Sequence, residues 1–174
     1  MDINIRLLSK DDIKDDFNSS SYELNHFFKN YASQNQFKHY IGSTYIAIVD
    51  ATIVGFITIS ASSIRVDEYE NKDLNKLPSY PLPVLRVSRL AIDTKYQNMG
   101  IDKELLKFIM TLSLEQQKKF GCIGLIVDAK KDSESYYEQF GFDYIDIENG
   151  LIDIRPYTKT MYLSTKTILK AIKY

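Results

Sequence analysis

The sequence predicts an α/β (α+β) fold: a mixed, mostly antiparallel sheet flanked by helices on both faces. Three observations predict it. Residues 44–49 and 53–64 are two apolar, β-branched runs about a polar break at residues 50–52, the pattern of a hairpin. Residues 86–106 run as an apolar strand, a polar turn, Gly100 and an amphipathic helix. From Cys122 to Ile147 strand, helix and strand follow once more. A hairpin joined to strand–helix–strand units needs helices over both faces of the sheet. At 174 residues and 44% hydrophobic content, the chain suits a single domain over residues 1–174 with a full core.

The elements follow in order. Residues 3–8 alternate weakly and read as a first strand. Residues 21–37 read as one helix, with Leu24, Phe27, Phe28 and Tyr31 on one face at helical spacing, an aromatic face of core type. The hairpin comes next. Residues 68–83 hold Pro78, Pro81 and Pro83, three of the chain's 4 prolines, and read as a long loop of the kind that forms a functional rim. Residues 84–92 form the strand before the polar turn. The long helix covers residues 101–119; Leu105, Ile109 and Leu112 share a face, Lys118 and Lys119 complement the dipole, and Gly121 stops it. The apolar run 124–129 is a strand buried on both faces, and Cys122 opens it as a small core residue. Residues 160–163 give a last strand and 165–172 a tail helix.

Composition narrows the chemistry. With 22 Lys+Arg against 23 Asp+Glu, the chain has no overall basic field. A nucleic-acid face would have to be local: Lys29, Lys38, His39, Arg65, Lys72 and Lys76 on one side, interrupted by Asp67, Glu68, Glu70 and Asp73. The lone Cys122 cannot form an internal disulfide, which fits a reducing, cytoplasmic setting. The N-terminus has no apolar signal-peptide core, and no apolar run is long enough to span a bilayer, so no membrane role is expected. There is no Cys pair and no His-x-x-x-His, so no metal is expected.

The segment around Gly100 builds an anion site. The first amides of a helix lack intrahelical acceptors and carry about half a positive charge. A glycine before the first turn lets a phosphate approach the backbone. The spacing is Gln97-x-x-Gly100-x-Asp102. It is neither G-x-x-x-x-G-K-[ST] nor G-x-G-x-x-G, so neither a nucleoside triphosphatase nor a dinucleotide fold is indicated. It resembles the acetyl-coenzyme A loop of the GNAT superfamily of N-acetyltransferases, Q/R-x-x-G-x-G/A after a strand ending in L-A-V/I; Leu90, Ala91 and Ile92 supply that end. Further on, Tyr136 and Tyr137 before Phe140-Gly141-Phe142 resemble the superfamily's second signature, F-Y-x-x-x-G-F. In the N-terminal third, Phe17, Leu24, Phe27, Phe28, Ala32, Gln34, Thr44, Tyr45 and Ala47 resemble one subgroup, as does the closing KTMYLSTKTILKAI. That subgroup contains the acetyltransferase toxins of bacterial toxin–antitoxin pairs.

The resemblance implies a GNAT-type sheet with a splay between two parallel central strands, near Val84 and Cys122, into which pantetheine inserts. It implies acetyl-coenzyme A as co-substrate, held by Leu90, Ala91, Ile92, Gln97, Asn98, Met99, Gly100, Ile101, Asp102 and Tyr136. Amides around Leu90–Ile92 would polarise the thioester carbonyl. Tyr137 would be the catalytic general acid for the departing sulfur. The acceptor implied is the α-amine of aminoacyl-tRNA, with translation stopped as the consequence. Implied partners are a small DNA-binding antitoxin, often of ribbon-helix-helix type, and a second copy in a homodimer.

Two departures stand in the motifs. Asp102 replaces the usual Gly or Ala and brings a carboxylate towards the expected pyrophosphate; as a first-turn residue it also favours the helix dipole. Ser19-Ser20 replaces a Cys-Gly pair as a turn variant. The residues themselves say something about the acceptor. The strand 86–92 has no carboxylate and no histidine, and Ser88 is a poor base. His26 and His39, the chain's only histidines, read as structural or surface groups. A lysine amine, pKa about 10.4, needs a base, whereas an α-amine at about 7.7–8.0 is partly neutral already. A missing base favours the α-amine. A small amine or a protein N-terminus as acceptor remains the alternative, as does a degenerate, non-catalytic relative acting by protein binding.

Overall fold

The computed structural model describes residues 1–72, 74–147 and 158–172. In chain order the elements are β1 (Asn4–Leu7), α1 (Tyr22–Asn30), α2 (Ala32–Phe37), β2 (Ser43–Val49), β3 (Thr52–Ile64), β4 (Tyr69–Glu70), β5 (Leu82–Ile92), α3 (Ile101–Lys119), β6 (Gly124–Lys130), α4 (Glu134–Glu138), β7 (Asp143–Tyr144), β8 (Asp146–Ile147), β9 (Thr158–Ser164) and α5 (Thr165–Ile172). They fall into two compact units. One is Met1–Ser60 with Val87–Ile109, the other Ala61–Arg86 with Met110–Tyr174.

In the first unit the strand order is β1-β2-β3-β5. β1 and β2 are antiparallel, with Asn4 opposite Ile48 and Leu7 opposite Tyr45. β2 and β3 form the expected hairpin, Ser43 opposite Ile59 and Val49 opposite Thr52. Its two-residue turn puts Asp50 and Ala51 at φ 47° and 63°, the left-handed pair that matches strand twist. Successive strand residues point to opposite faces, and Gly55 and Phe56 use this to place two layers of helix. Phe56 stacks on Phe28 of α1 at 4.4 Å and 4°, and Phe17 packs edge-on against both, at 5.4 and 5.0 Å. On the other face a Cβ at Gly55 would lie 2.7 Å from Ile92 Cδ1 and 3.2 Å from Leu105 Cδ1. Only glycine admits β5 and α3 that close.

The single helix expected over residues 21–37 is two helices, broken at Tyr31, and the break leaves Tyr31, expected on the core face with Leu24, Phe27 and Phe28, exposed to solvent. Side chains compete for the backbone at the break: Gln34 Nε2 donates to the Asn30 carbonyl (3.2 Å), and Asn30 Nδ2 donates to the His26 carbonyl (2.9 Å). The bend lets the buried Gln36 turn inward. Its Nε2 donates to the Leu8 carbonyl and its Oε1 accepts from the Thr44 amide, both at 2.8 Å.

In the second unit the ends of β3 and β5 continue the order as β3-β5-β6-β9-β7. β5 and β6, neighbours connected through α3, make the one parallel pair. β6 and β9 are antiparallel from Gly124 opposite Ser164 to Lys130 opposite Thr158. Gly124 is obligatory, because a Cβ would sit 2.3 Å from the Leu163 carbonyl oxygen and 2.5 Å from Tyr162 Cε2. Ile64, Val66, Leu74, Leu82, Val84, Ile126, Ile145 and Tyr162 form the core here. The long loop expected at residues 68–83 is more structured than its prolines imply. β4 pairs with β8, Tyr69 opposite Ile147, and Leu74 is fully buried, so an apolar anchor overrides the loop composition. Cys122 is buried as expected but precedes β6, which begins at Gly124. Asp73, one of the acidic residues expected to interrupt the basic face, lies outside the described residues. Among the described residues no helix is long and apolar enough to cross a membrane.

Candidate functional site

In the first unit β5 delivers the chain to the phosphate-loop segment. Ala91 is buried among Phe17, Phe27, Phe28 and Phe56, while Leu90 and Ile92 are half-buried beside it. The next residue, Asp93, fixes the loop. Its carboxylate accepts from the Lys95 amide at 3.0 Å and the Asn18 amide at 2.9 Å, while its own amide donates to Val54 O at 2.9 Å. Sequence reasoning passed over Asp93, although a carboxylate directly after a buried strand end is the signal of such a cap.

Gln97 closes the turn: its Nε2 donates to Ile92 O (3.3 Å) and Ser19 O (3.5 Å). Asn98 and Gly100 then adopt φ 62° and 80°. Two left-handed residues within three positions turn the chain into α3. Among the described residues, no acceptor is bonded by the amides of residues 98–102. A Cβ added at Gly100 would meet nothing within 4 Å, so the backbone at this residue is approachable from that side. Ile101 is fully buried and anchors the first helical turn; Met99 and Lys103 are exposed and Asp102 is half-buried. A group of unpartnered amides at the start of a 19-residue helix, approachable at Gly100, fits a diphosphate.

Ser88 donates its hydroxyl to Thr58 O at 3.2 Å, so it is engaged and supplies no base. The Arg89 guanidinium lies 3.8 Å from the centre of the Phe27 ring. Burial pushes its pKa down, and Glu23 opposes that. His26 and His39 are both exposed, as are Lys29 and Lys38.

In the second unit α4 carries the tyrosine pair. Tyr137 is 8% exposed, and its ring packs against Tyr136 at 5.2 Å and Phe142 at 5.5 Å. Gly141, at φ 84°, reverses the chain so that the Phe142 amide reaches back to Tyr137 O (3.3 Å). This explains the glycine of the signature. Burial raises the Tyr137 pKa to about 12. Among the described residues nothing hydrogen-bonds its hydroxyl, which stays protonated and available as a donor. Tyr136 is half-buried between Tyr137 and Phe140.

The second unit also holds charge that the sequence did not reveal. Arg86 of β5 pairs with Asp128 of β6, whose other oxygen accepts from Thr160 at 3.0 Å. Both carboxylate oxygens are occupied, so Asp128 is an ion-pair partner rather than a free base. Tyr144 donates to Glu134 at 2.9 Å, a bond that raises the tyrosine's pKa, and Lys159 lies 3.7 Å from the same carboxylate. Of the expected basic residues, Arg65 is already paired with Asp67 (2.8 Å) and Glu68 (3.7 Å), while Lys72 and Lys76 are exposed. Among the described residues no group of three or more His, Cys, Asp or Glu is placed to hold a metal ion.

Comparison with known proteins gives three findings. Residues 13–153 match the model of the acetyltransferase (GNAT) domain family. The chain is 26% identical over 141 residues to the tRNA-acetylating toxin of Mycobacterium tuberculosis, covering 79% of this chain and 82% of that one. Among solved structures it superposes on KacT with a TM-score of 0.84 at 22% identity, covering 98% of this chain and 99% of that one. It also superposes on AtaT complexed with acetyl-methionyl-tRNA at 0.84 and 23%, with the same coverage. Likeness at that identity establishes the fold.

Proposed function

The chain belongs to the GNAT acetyltransferase domain family and is an acetyl-coenzyme A-dependent N-acetyltransferase, and on that premise we propose that it acetylates the α-amine of aminoacyl-tRNA. The observation that carries the reading is the lack of a base on β5, where Ser88 is bonded to Thr58 O; within the second unit the protonated Tyr137 hydroxyl supports it. These residues supply a donor for a leaving thiolate and nothing on β5 that would deprotonate lysine. They suit an amine that is neutral on its own near pH 8.

The roles follow residue by residue. Amides of Asn98, Met99, Gly100, Ile101 and Asp102 bind the pyrophosphate, with Gln97 holding the turn. Leu90, Ala91 and Ile92 present the amides that polarise the thioester carbonyl. The free amine attacks that carbonyl, the C–S bond breaks while Tyr137 hydrogen-bonds the leaving sulfur, and the proton lost by the amine nitrogen passes to the thiolate through solvent. Tyr136 packs beside it against the coenzyme. The family match over residues 13–153 runs through both units, which supports reading residues 1–174 as a single acetyltransferase domain. The relative from M. tuberculosis is named a tRNA-acetylating toxin, which supports the same acceptor and, with it, a toxin role in the bacterial cytoplasm. A homodimer and a small DNA-binding antitoxin complete the proposal.

The test supplies labelled acetyl-coenzyme A with charged tRNA, uncharged tRNA, a polyamine and a lysine-rich protein. Label is expected on charged tRNA alone. Label confined to polyamines or protein lysines would reject the acceptor and leave the acetyltransferase standing.

A further inference from the structure

α1 buries Phe27 and Phe28 and turns the opposite face to solvent. On that face stand Tyr22, His26, Lys29, Asn30 and Tyr31, all exposed. These side chains are not loose. The Tyr22 and His26 rings stack at 5.6 Å and 12°, and Tyr31 meets the His26 ring edge-on at 5.4 Å and 71°. Asn30 Nδ2 lies 3.2 Å from His26 Nδ1 while also donating to the His26 carbonyl, which fixes the ring about its side-chain torsions. With Asn30 donating to Nδ1, the neutral imidazole carries its proton on Nε2. Tyr22 closes the stack and is 81% exposed, so its outer ring face is open.

Ordering three aromatic side chains on a solvent face costs rotamer entropy and buries no core. A further planar ring would extend the stack. We propose that the Tyr22–His26 ladder of α1 is a stacking platform for an unpaired nucleobase of a single-stranded RNA end. Exposed Lys29, one turn on, meets the adjoining phosphate, and the His26 Nε2–H offers a donor to a base edge. Glu23, the acidic residue of the same helix, interacts with the Arg89 guanidinium of β5. The inference rests on the aminoacyl-tRNA reading for the identity of the strand. It also accounts for a chain of net charge −1 binding RNA, since stacking draws on ring surface instead of counterion release.

The experiment uses the whole protein, with Tyr22→Ala, Tyr22→Phe and Lys29→Ala variants. A short single-stranded RNA ending in CCA is titrated at several salt concentrations. The chain has no Trp and 13 Tyr, so tyrosine fluorescence is the signal, and the part of its quenching that is lost in Tyr22→Ala reports stacking on Tyr22. Tyr22→Ala is expected to weaken RNA binding and raise KM for charged tRNA roughly 5- to 100-fold, the scale of one base–aromatic stack, with the salt slope unaltered. Tyr22→Phe is expected to restore both. Lys29→Ala is expected to lower the salt slope by about one. The platform is refuted if Tyr22→Ala binds RNA within twofold of wild type, or if Tyr22→Phe falls as far as Tyr22→Ala. An equal loss with a small α-amino ester refutes it too, because that acceptor carries no nucleobase. A wild-type protein that binds the RNA through Tyr22 yet acetylates no charged tRNA refutes the acceptor and leaves the platform standing.

Discussion

Replacing Tyr137 by Phe removes one oxygen and keeps the ring that packs against Tyr136 and Phe142 at 5.2 and 5.5 Å. The fold is therefore expected to survive with a change of under about 1 kcal/mol, since no hydrogen bond is lost. The kinetic effect follows from the raised pKa. Full proton transfer from a hydroxyl at about 12 to a thiolate whose acid form sits near an ordinary thiol value, about 8.5, is uphill by roughly 5 kcal/mol. The hydroxyl thus acts chiefly as a hydrogen-bond donor to the charge growing on sulfur. A bond to a charged group contributes about 1.5–3 kcal/mol, so kcat is expected to fall roughly 10- to 150-fold with the coenzyme KM unaltered. Acetyl transfer followed by thiol release measures it. In the wild type the pH–rate profile is expected to rise through the acceptor's own pKa, about 8, and to show no descending limb before pH 11, because the competent form of Tyr137 is the protonated one. Stability supplies an independent reading. The folded pKa, about 12, exceeds the ordinary 10.0, so this contribution is intact below pH 10 and is lost between pH 10 and 12 as only the unfolded chain ionises. The amount is about 3 kcal/mol, and Tyr137→Phe should abolish that part of the alkaline slope. A fall in kcat of under threefold, or a descending limb near pH 10, would refute the reasoning.

Three further substitutions test the scaffold and the loop. Asp102→Asn keeps the shape of the first turn of α3 and removes a charge; with a phosphate at about 6 Å and an effective dielectric of about 20, screened to roughly 1 kcal/mol, calorimetry should show acetyl-coenzyme A binding about fivefold tighter. Unaltered affinity would mean that the carboxylate is directed away from the loop. Gly124→Ala forces a Cβ to within 2.3 Å of the Leu163 carbonyl oxygen and should cost about 3 kcal/mol in urea denaturation; a cost under 1 would show that β6 and β9 can separate there. Ala51→Gly relieves a left-handed alanine at φ 63° in the hairpin turn and should stabilise by about 1 kcal/mol, with a raised Tm as the measurement.

Local chemistry made part of this molecule legible from its sequence. The bounds of α3 follow from periodicity, first-turn acids and the stop at Gly121, all of them properties of neighbouring residues. The turn at Gly100 and the order of the two motifs are local in the same sense, and with them came the family and the coenzyme. The break at Tyr31 is local too, but it depends on which of two donors takes the Asn30 carbonyl, and periodicity carries no information about that competition. What tertiary structure alone decided is the pairing of groups far apart in the chain. Asp93 holds the amide of Asn18, 75 positions away, and Arg86 meets Asp128 across 42. Register between β5 and β6 sets the second encounter and loop packing the first, and both are properties of the assembled fold. The same holds for Tyr137: it is one of 13 tyrosines in the sequence, and the burial that lifts its pKa from the ordinary 10.0 to about 12 is set by packing.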